Sequence, residues 1–270
     1  AGTFDANANA VTATGLTTVS GGTYSASTAT QTFNGGLTIS GGTFTQATST
    51  LNVSGNFAIS SGATFTKSTN SSALTLNGTT QNISDANATT NDLGVVSTSG
   101  TGTATMTNNL KVTSLSIGNG TTFNLGAGSY TLTITGTGTP LTTNTTGTFN
   151  AGTGSTVLYT GATTATNIAT VAYVNLTLTP TAATTYSLLG NTTLTGNLTI
   201  STNATLDTTL ANSYSLTVAG NFSNSGTFTA RSGTVTLNGS SHDVSGSSSF
   251  NNLTFTAPQT VTFTAGTTQT

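Results

Sequence analysis

The chain has a single histidine, His242, which stands beside Asp243 in the run SSHDVS, so serine hydroxyls, an imidazole and a carboxylate are backbone neighbours. Those are the groups of a hydrolase that activates a serine nucleophile. Their spacing argues against that chemistry. In an extended strand adjacent side chains point to opposite faces, which places Asp243 badly to orient the His242 ring. The expectation for NGSSHD is a solvent-facing turn.

Other acid and base groups are scarce. The carboxylates are Asp5, Asp85, Asp92, Asp207 and Asp243, with no glutamate, and the cations are Lys67, Lys111 and Arg231. Glycosidase-like or lyase-like catalysis needs such groups clustered on one face, and their spread along the chain predicts no enzyme. Two stretches have oxygen donors at calcium-loop spacing. DANANA offers Asp5, Asn7 and Asn9; DANATTND offers Asp85, Asn87, Asn91 and Asp92. Neither carries the glycine at the sixth place or the glutamate at the twelfth of an EF-hand loop. The 85–92 cluster is kept as a candidate calcium site of few charges, and no other cofactor is implied.

Tyrosine is the remaining residue with contact chemistry, an apolar ring with a polar tip. Tyr130 and Tyr214 recur in phase with a repeat and read as structural. Tyr159, Tyr173 and Tyr186 fall in a less regular stretch and are the candidates for surface contacts.

The elements that must carry these residues are strands. Apolar residues make up 33% of the chain and charged ones 3%, and the apolar ones sit in short alternating runs such as LTIS, YTLTIT, SLTVAG and TVTLNG. Alternation with abundant β-branched threonine predicts strands, and the frequent glycines argue against helices. In TFT, TLT or TVT the middle residue points inward and both threonines outward.

The runs repeat on two scales. LTTVSGGTY ending at Tyr24, LTISGGTF at Phe44, FAISSGATF at Phe65 and LSIGNGTTF at Phe123 recur at about 20 residues. A longer repeat opens near Phe65, Phe149 and Phe228. A unit that short cannot bury its own apolar side, whereas a stack of units can. The predicted fold is therefore all-β, a parallel β-solenoid (β-helix) of about 20-residue coils forming a single domain over 1–270. Some 12 or 13 turns at about 4.8 Å would give a rod of roughly 60 Å. A β-sandwich array is the alternative. Phe44, Phe65, Phe149 and Phe228 are assigned to the core ladder, with Ile39, Ile59, Leu132, Ile134, Leu216, Val218, Val235 and Leu237. The corners Gly55-Asn56, Asn77-Gly78, Asn119-Gly120, Gly196-Asn197, Gly220-Asn221 and Asn238-Gly239 suggest asparagine ladders along the axis.

The words GNLTISTNATLD and YSLTVAGNFSNSGTFTARSGTVTLNGSSHDVSGSSSFNNLTFTAP resemble the strand-repeat regions of very large secreted or surface-anchored, adhesin-like bacterial proteins. The resemblance is clearest over residues 190–258 and recurs, degraded, over 15–160. It implies a parallel β-helix with a structural role at the cell surface or outside the cell, and it carries over no catalytic residue.

Composition bounds the partners. A net charge of −2 with three cations leaves nothing to neutralise a phosphate backbone, which excludes nucleic acid. No apolar window is long enough to span a membrane. The chain opens with Ala1, which reads as a processed product or a segment, and absence of cysteine removes disulfides. About 14 N-x-S/T sequons, among them Asn52, Asn77, Asn119, Asn191, Asn221 and Asn252, make glycans possible partners. The expected function is a non-catalytic extracellular rod or filament subunit, or a segment of a fibrous surface protein, self-associating end to end through open strand edges. The alternative is an adhesin stalk or carbohydrate-binding module. Ice binding is a third reading, disfavoured because coil spacing drifts and threonines face several sides.

Overall fold

The computed structural model describes residues 2–67, 72–209, 211–256 and 258–270. Every regular element among them is a short strand. Every strand pairing described is parallel, as in Thr23–Ser25 against Thr43–Gln46, so the solenoid forms and the antiparallel sandwich does not. Parallel neighbours arise because the chain returns to the same face once per coil, after passing through the two other faces.

Contacts divide the chain into two compact units. One comprises Ala1–Thr133 with Thr142–Gly152, the other Ile134–Leu141 with Thr153–Thr270.

Three sheets begin in the opening coils of the first unit. The first holds Thr3–Asp5, Thr23–Ser25, Thr43–Gln46 and Thr64–Lys67 in that order. The second begins with Val11–Ala13, Gln31–Phe33, Leu51–Val53 and Ala73–Leu76, and the third with Thr17–Val19, Leu37–Ile39, Phe57–Ile59 and Thr80–Asp85. Register fixes what stacks. Phe4, Tyr24, Phe44 and Phe65 are partners in successive coils. The Tyr24 and Phe44 rings lie 4.7 Å apart at 12°, and those of Phe44 and Phe65 lie 5.8 Å apart at 10°. Burying each such ring contributes roughly 1.5–3 kcal/mol.

The second unit repeats the scheme. One sheet includes, in order, Thr156–Tyr159, Asn175–Leu178, Leu198–Ile200, Phe222–Asn224, Ser241–Ser245 and Thr260–Phe263. A second holds Thr166–Ile168, Thr184–Leu188, Ala204–Asp207 and Thr227–Thr229. A third holds Thr192–Leu194, Leu216–Val218, Thr234–Leu237 and Asn252–Phe255. Phe44, Phe65, Phe149, Phe228, Ile39 and Ile59 are all buried, as are Leu132, Ile134, Leu216, Val218, Val235 and Leu237. Coils pack closely at the glycine corners: a Cβ on Gly78 would meet the Ser54 carbonyl oxygen at 1.9 Å, and one on Gly239 that of Ala219 at 1.9 Å.

Candidate functional site

The residues with chemistry are built into the coil corners. The words VSGNF (53–57) with LNGTTQNIS (76–84) in the first unit match VAGNF (218–222) with LNGSSHDVS (237–245) in the second. Gln81 and His242 hold the same place in the two copies. Gln81 Oε1 accepts the Gly78 N–H at 2.6 Å, while its Nε2 donates to the Val53 and Gly55 carbonyls at 3.2 and 2.9 Å. His242 Nδ1 donates to the Gly220 carbonyl at 2.6 Å, which leaves Nε2 to accept the Gly239 N–H at 3.0 Å. Each side chain plugs the corner beneath its glycine and satisfies part-buried backbone groups there.

His242 is thus fully buried, not in the solvent-facing turn expected from NGSSHD. It lies within the strand Ser241–Ser245, whose alternation turns His242 and Val244 inward and Asp243 outward. Asp243 is exposed on the opposite face, so imidazole and carboxylate do not cooperate.

The 85–92 cluster converges, but on itself. The Asp85 carboxylate accepts N–H groups of Asn87 from backbone and side chain at 3.0 and 2.8 Å, and both N–H donors of Asn91. Asn87 Oδ1 in turn accepts the Gly62 N–H at 2.8 Å, and Asn91 Oδ1 the Phe65 N–H at 3.1 Å. Asp92 Oδ1 accepts the Gly94 N–H at 2.8 Å. The side chains of Asp85, Asn87, Asn91 and Asp92, named as calcium donors, are thus engaged by protein hydrogens. The segment caps the open edge of Thr64–Lys67, the outermost strand of its sheet, with two amide side chains in place of a further strand. Among the described residues no three of His, Cys, Asp or Glu converge as a metal site.

The tyrosines expected to make surface contacts do not reach the surface. Tyr159, Tyr173 and Tyr186 are fully buried. Tyr186 OH donates to the Gly161 carbonyl at 2.7 Å and Tyr173 OH to that of Ala169 at 2.8 Å, with the Tyr159 hydroxyl 3.5 Å from that of Tyr173. Burial pushes Tyr159 up to about 12 and raises Tyr173 and Tyr186 well above the usual phenol range. The alternation that turns the phenylalanines inward was the available signal: Val157 and Tyr159 share one face of TVLY, and Thr184, Tyr186 and Leu188 one face of TTYSL.

Asparagine does run along the axis, though through the backbone and not from amide to amide. Asn175 Oδ1 accepts the Asn197 N–H at 2.9 Å, Asn197 Oδ1 the Asn221 N–H at 2.7 Å, and Asn221 Oδ1 the Asp243 N–H at 2.9 Å. Asp207 and Arg231 form a two-pronged surface ion pair at 2.9 and 2.7 Å, and the Arg231 hydrogen bonds hold the Asp207 carboxyl below the usual range. Lys67 runs under the corner at Gly94, with Nζ donating to the Ser72 carbonyl and, at 3.3 Å, to that of Val95. Burial lowers its amine to about 8, opposed by the negative charge of Asp92.

Comparisons with protein-family models, with curated proteins and with solved structures find no match. The fold is that of a parallel β-solenoid, and the side-chain chemistry described serves coil-to-coil hydrogen bonding.

Proposed function

We infer that the chain is a non-catalytic extracellular structural element. It is a rod or filament subunit, or a segment of a fibrous surface protein, that joins further coils through open strand edges. The end coils carry this reading. In the first unit Thr3–Asp5 is the outermost strand of its sheet, with Phe4 53% exposed at the end of the ring column. In the second unit Phe255 and Phe263 are in register with the buried Leu237 and Val244, yet are 43% and 46% exposed. Between them Pro258, Gln259 and Val261 complete a cleft of about 480 Å³, and Gln259 Oε1 is buried with no hydrogen-bond partner. An added parallel coil would cover these rings, and its backbone could supply the missing donor.

Negative-stain electron microscopy with light scattering over a concentration series tests the reading. Linear assemblies that grow with concentration and are lost in Phe263→Asp are expected; monodisperse particles at every concentration would contradict assembly.

A second reading, ice binding, is favoured by one observation. On the first sheet Thr3, Thr23, Thr43 and Thr64 form one outward column, and Ser25, Thr45 and Thr66 a second. Coil length is steady there, so hydroxyls and methyls repeat in two directions. Thermal hysteresis that disappears in Thr43→Tyr would establish it, and none in the parent chain removes it.

A further inference from the structure

Two of the differences between the corner copies, Ser54 against Ala219 and Gln81 against His242, change the chemistry at the glycine. In the first unit the Asn77 side-chain oxygen is held by the Ser54 hydroxyl at 2.9 Å, and the following Gly78 N–H is held by the non-basic Gln81. In the second unit Ala219 stands where Ser54 stands, which deletes that anchor, and His242 stands where Gln81 stands. Asn238 is exposed, and the N–H of Gly239 points at the unprotonated Nε2 of His242. The same Nε2 lies 3.2 Å from the Gly239 carbonyl oxygen, and Nδ1 is fixed by the Gly220 carbonyl.

We propose that Asn238–Gly239 is a self-modification site, at which His242 accepts the Gly239 amide proton while the freed nitrogen attacks the Asn238 side-chain amide. The new N–Cγ bond closes a cyclic imide. The Cγ–Nδ2 bond breaks, and Nδ2 leaves as ammonia carrying the proton taken by His242. Water then opens the imide at either carbonyl, leaving aspartate or isoaspartate at position 238. A base in the plane of the amide is correctly placed, because it takes the proton without blocking the face of the nitrogen that attacks.

Internal controls are present. Asn34, Asn77 and Asn119 also precede glycine. Each has its side-chain oxygen held, by Ser54 Oγ at 3.5 Å, by Ser54 Oγ at 2.9 Å and by the Thr146 N–H at 3.3 Å respectively. Gly120 N–H is engaged by a hydroxyl, Thr146 Oγ1, at 2.9 Å. The chain's sole imidazole serves Gly239. The consequence is an added negative charge, and for isoaspartate an added backbone atom, at the corner joining Thr234–Leu237 to Ser241–Ser245.

Peptide mapping by mass spectrometry after incubation at neutral pH tests the proposal in the folded chain. Asn238 is expected to convert at least about tenfold faster than Asn34, Asn77 or Asn119, within the ~100-fold that a positioned base supplies at the low end in enzymes. His242→Gln, which reproduces the Gln81 corner, should bring Asn238 down to the Asn77 rate. Ala219→Ser, which restores the anchor without touching the base, should slow it severalfold. In denaturant the Asn238 and Asn77 rates should converge. Equal rates at Asn238 and Asn77 in the folded chain, or an unchanged rate in a His242→Gln protein that melts like the parent, would overturn it.

Discussion

Gln81 and His242, in separate units, each accept the N–H of the glycine three residues earlier, at 2.6 and 3.0 Å, and each donate to a carbonyl of the preceding coil. Two side chains of different chemistry thus solve one problem: backbone polar groups at a closed corner where no strand ladder reaches. The interchange predicts that His242→Gln is nearly neutral. His242→Ala takes the imidazole partner from the Gly220 carbonyl and the Gly239 N–H at a part-buried corner and should cost about 1–3 kcal/mol. Urea unfolding followed by circular dichroism separates the two, and equal losses for both variants would refute the shared role.

The buried tyrosines set an alkaline limit. Tyr24 and Tyr159 ionise near 12 in the fold and Tyr173 and Tyr186 are also raised, in each case because burial disfavours the phenolate. The unfolded chain releases these protons near 10. Their contribution is therefore complete below pH 10 and is lost as pH climbs toward 12. Tyrosinate absorbance should rise together with loss of β-sheet signal in that window. A rise in absorbance with the sheet signal intact would contradict the burial.

Lys67 predicts the opposite slope in a lower window. Its folded value of about 8 lies below the unfolded one near 10.5, so the unfolded chain holds more protons between them and stability rises with pH there. The first unit should gain on the order of 1–3 kcal/mol between pH 8 and pH 10. Lys67→Met should abolish the gain; a flat profile in the parent chain would count against it.

Much of the fold is legible in the sequence because one physical rule, the two-residue alternation of a strand, acts at every coil. It puts Phe44 and Phe65 on one column and their flanking threonines outside. The same rule, applied to TVLY and TTYSL, places Tyr159 and Tyr186 inside, and only their position in an irregular stretch suggested otherwise. His242 was readable through alternation: TTQNIS and SSHDVS align, and the rule that turns Ile83 and Val244 inward turns Gln81 and His242 inward with them. The role of residues 85–92 was not readable. Their acceptors are matched to N–H groups of Gly62 and Phe65, more than 20 positions earlier, so only the coil geometry reveals that they close a sheet edge.

The most direct measurement uses the absence of cysteine. Thr32 and Asn52 are outward register partners in adjacent parallel strands, and Thr75 follows one coil further on. Neighbouring strands bring such positions to about 4.8 Å, within disulfide reach, whereas two coils apart they are not. Under mild oxidation the double variant Thr32→Cys with Asn52→Cys should form an intramolecular disulfide in high yield, and Thr32→Cys with Thr75→Cys should not. Failure of the first pair to close, or equal closure of both, would contradict the stacked parallel coils.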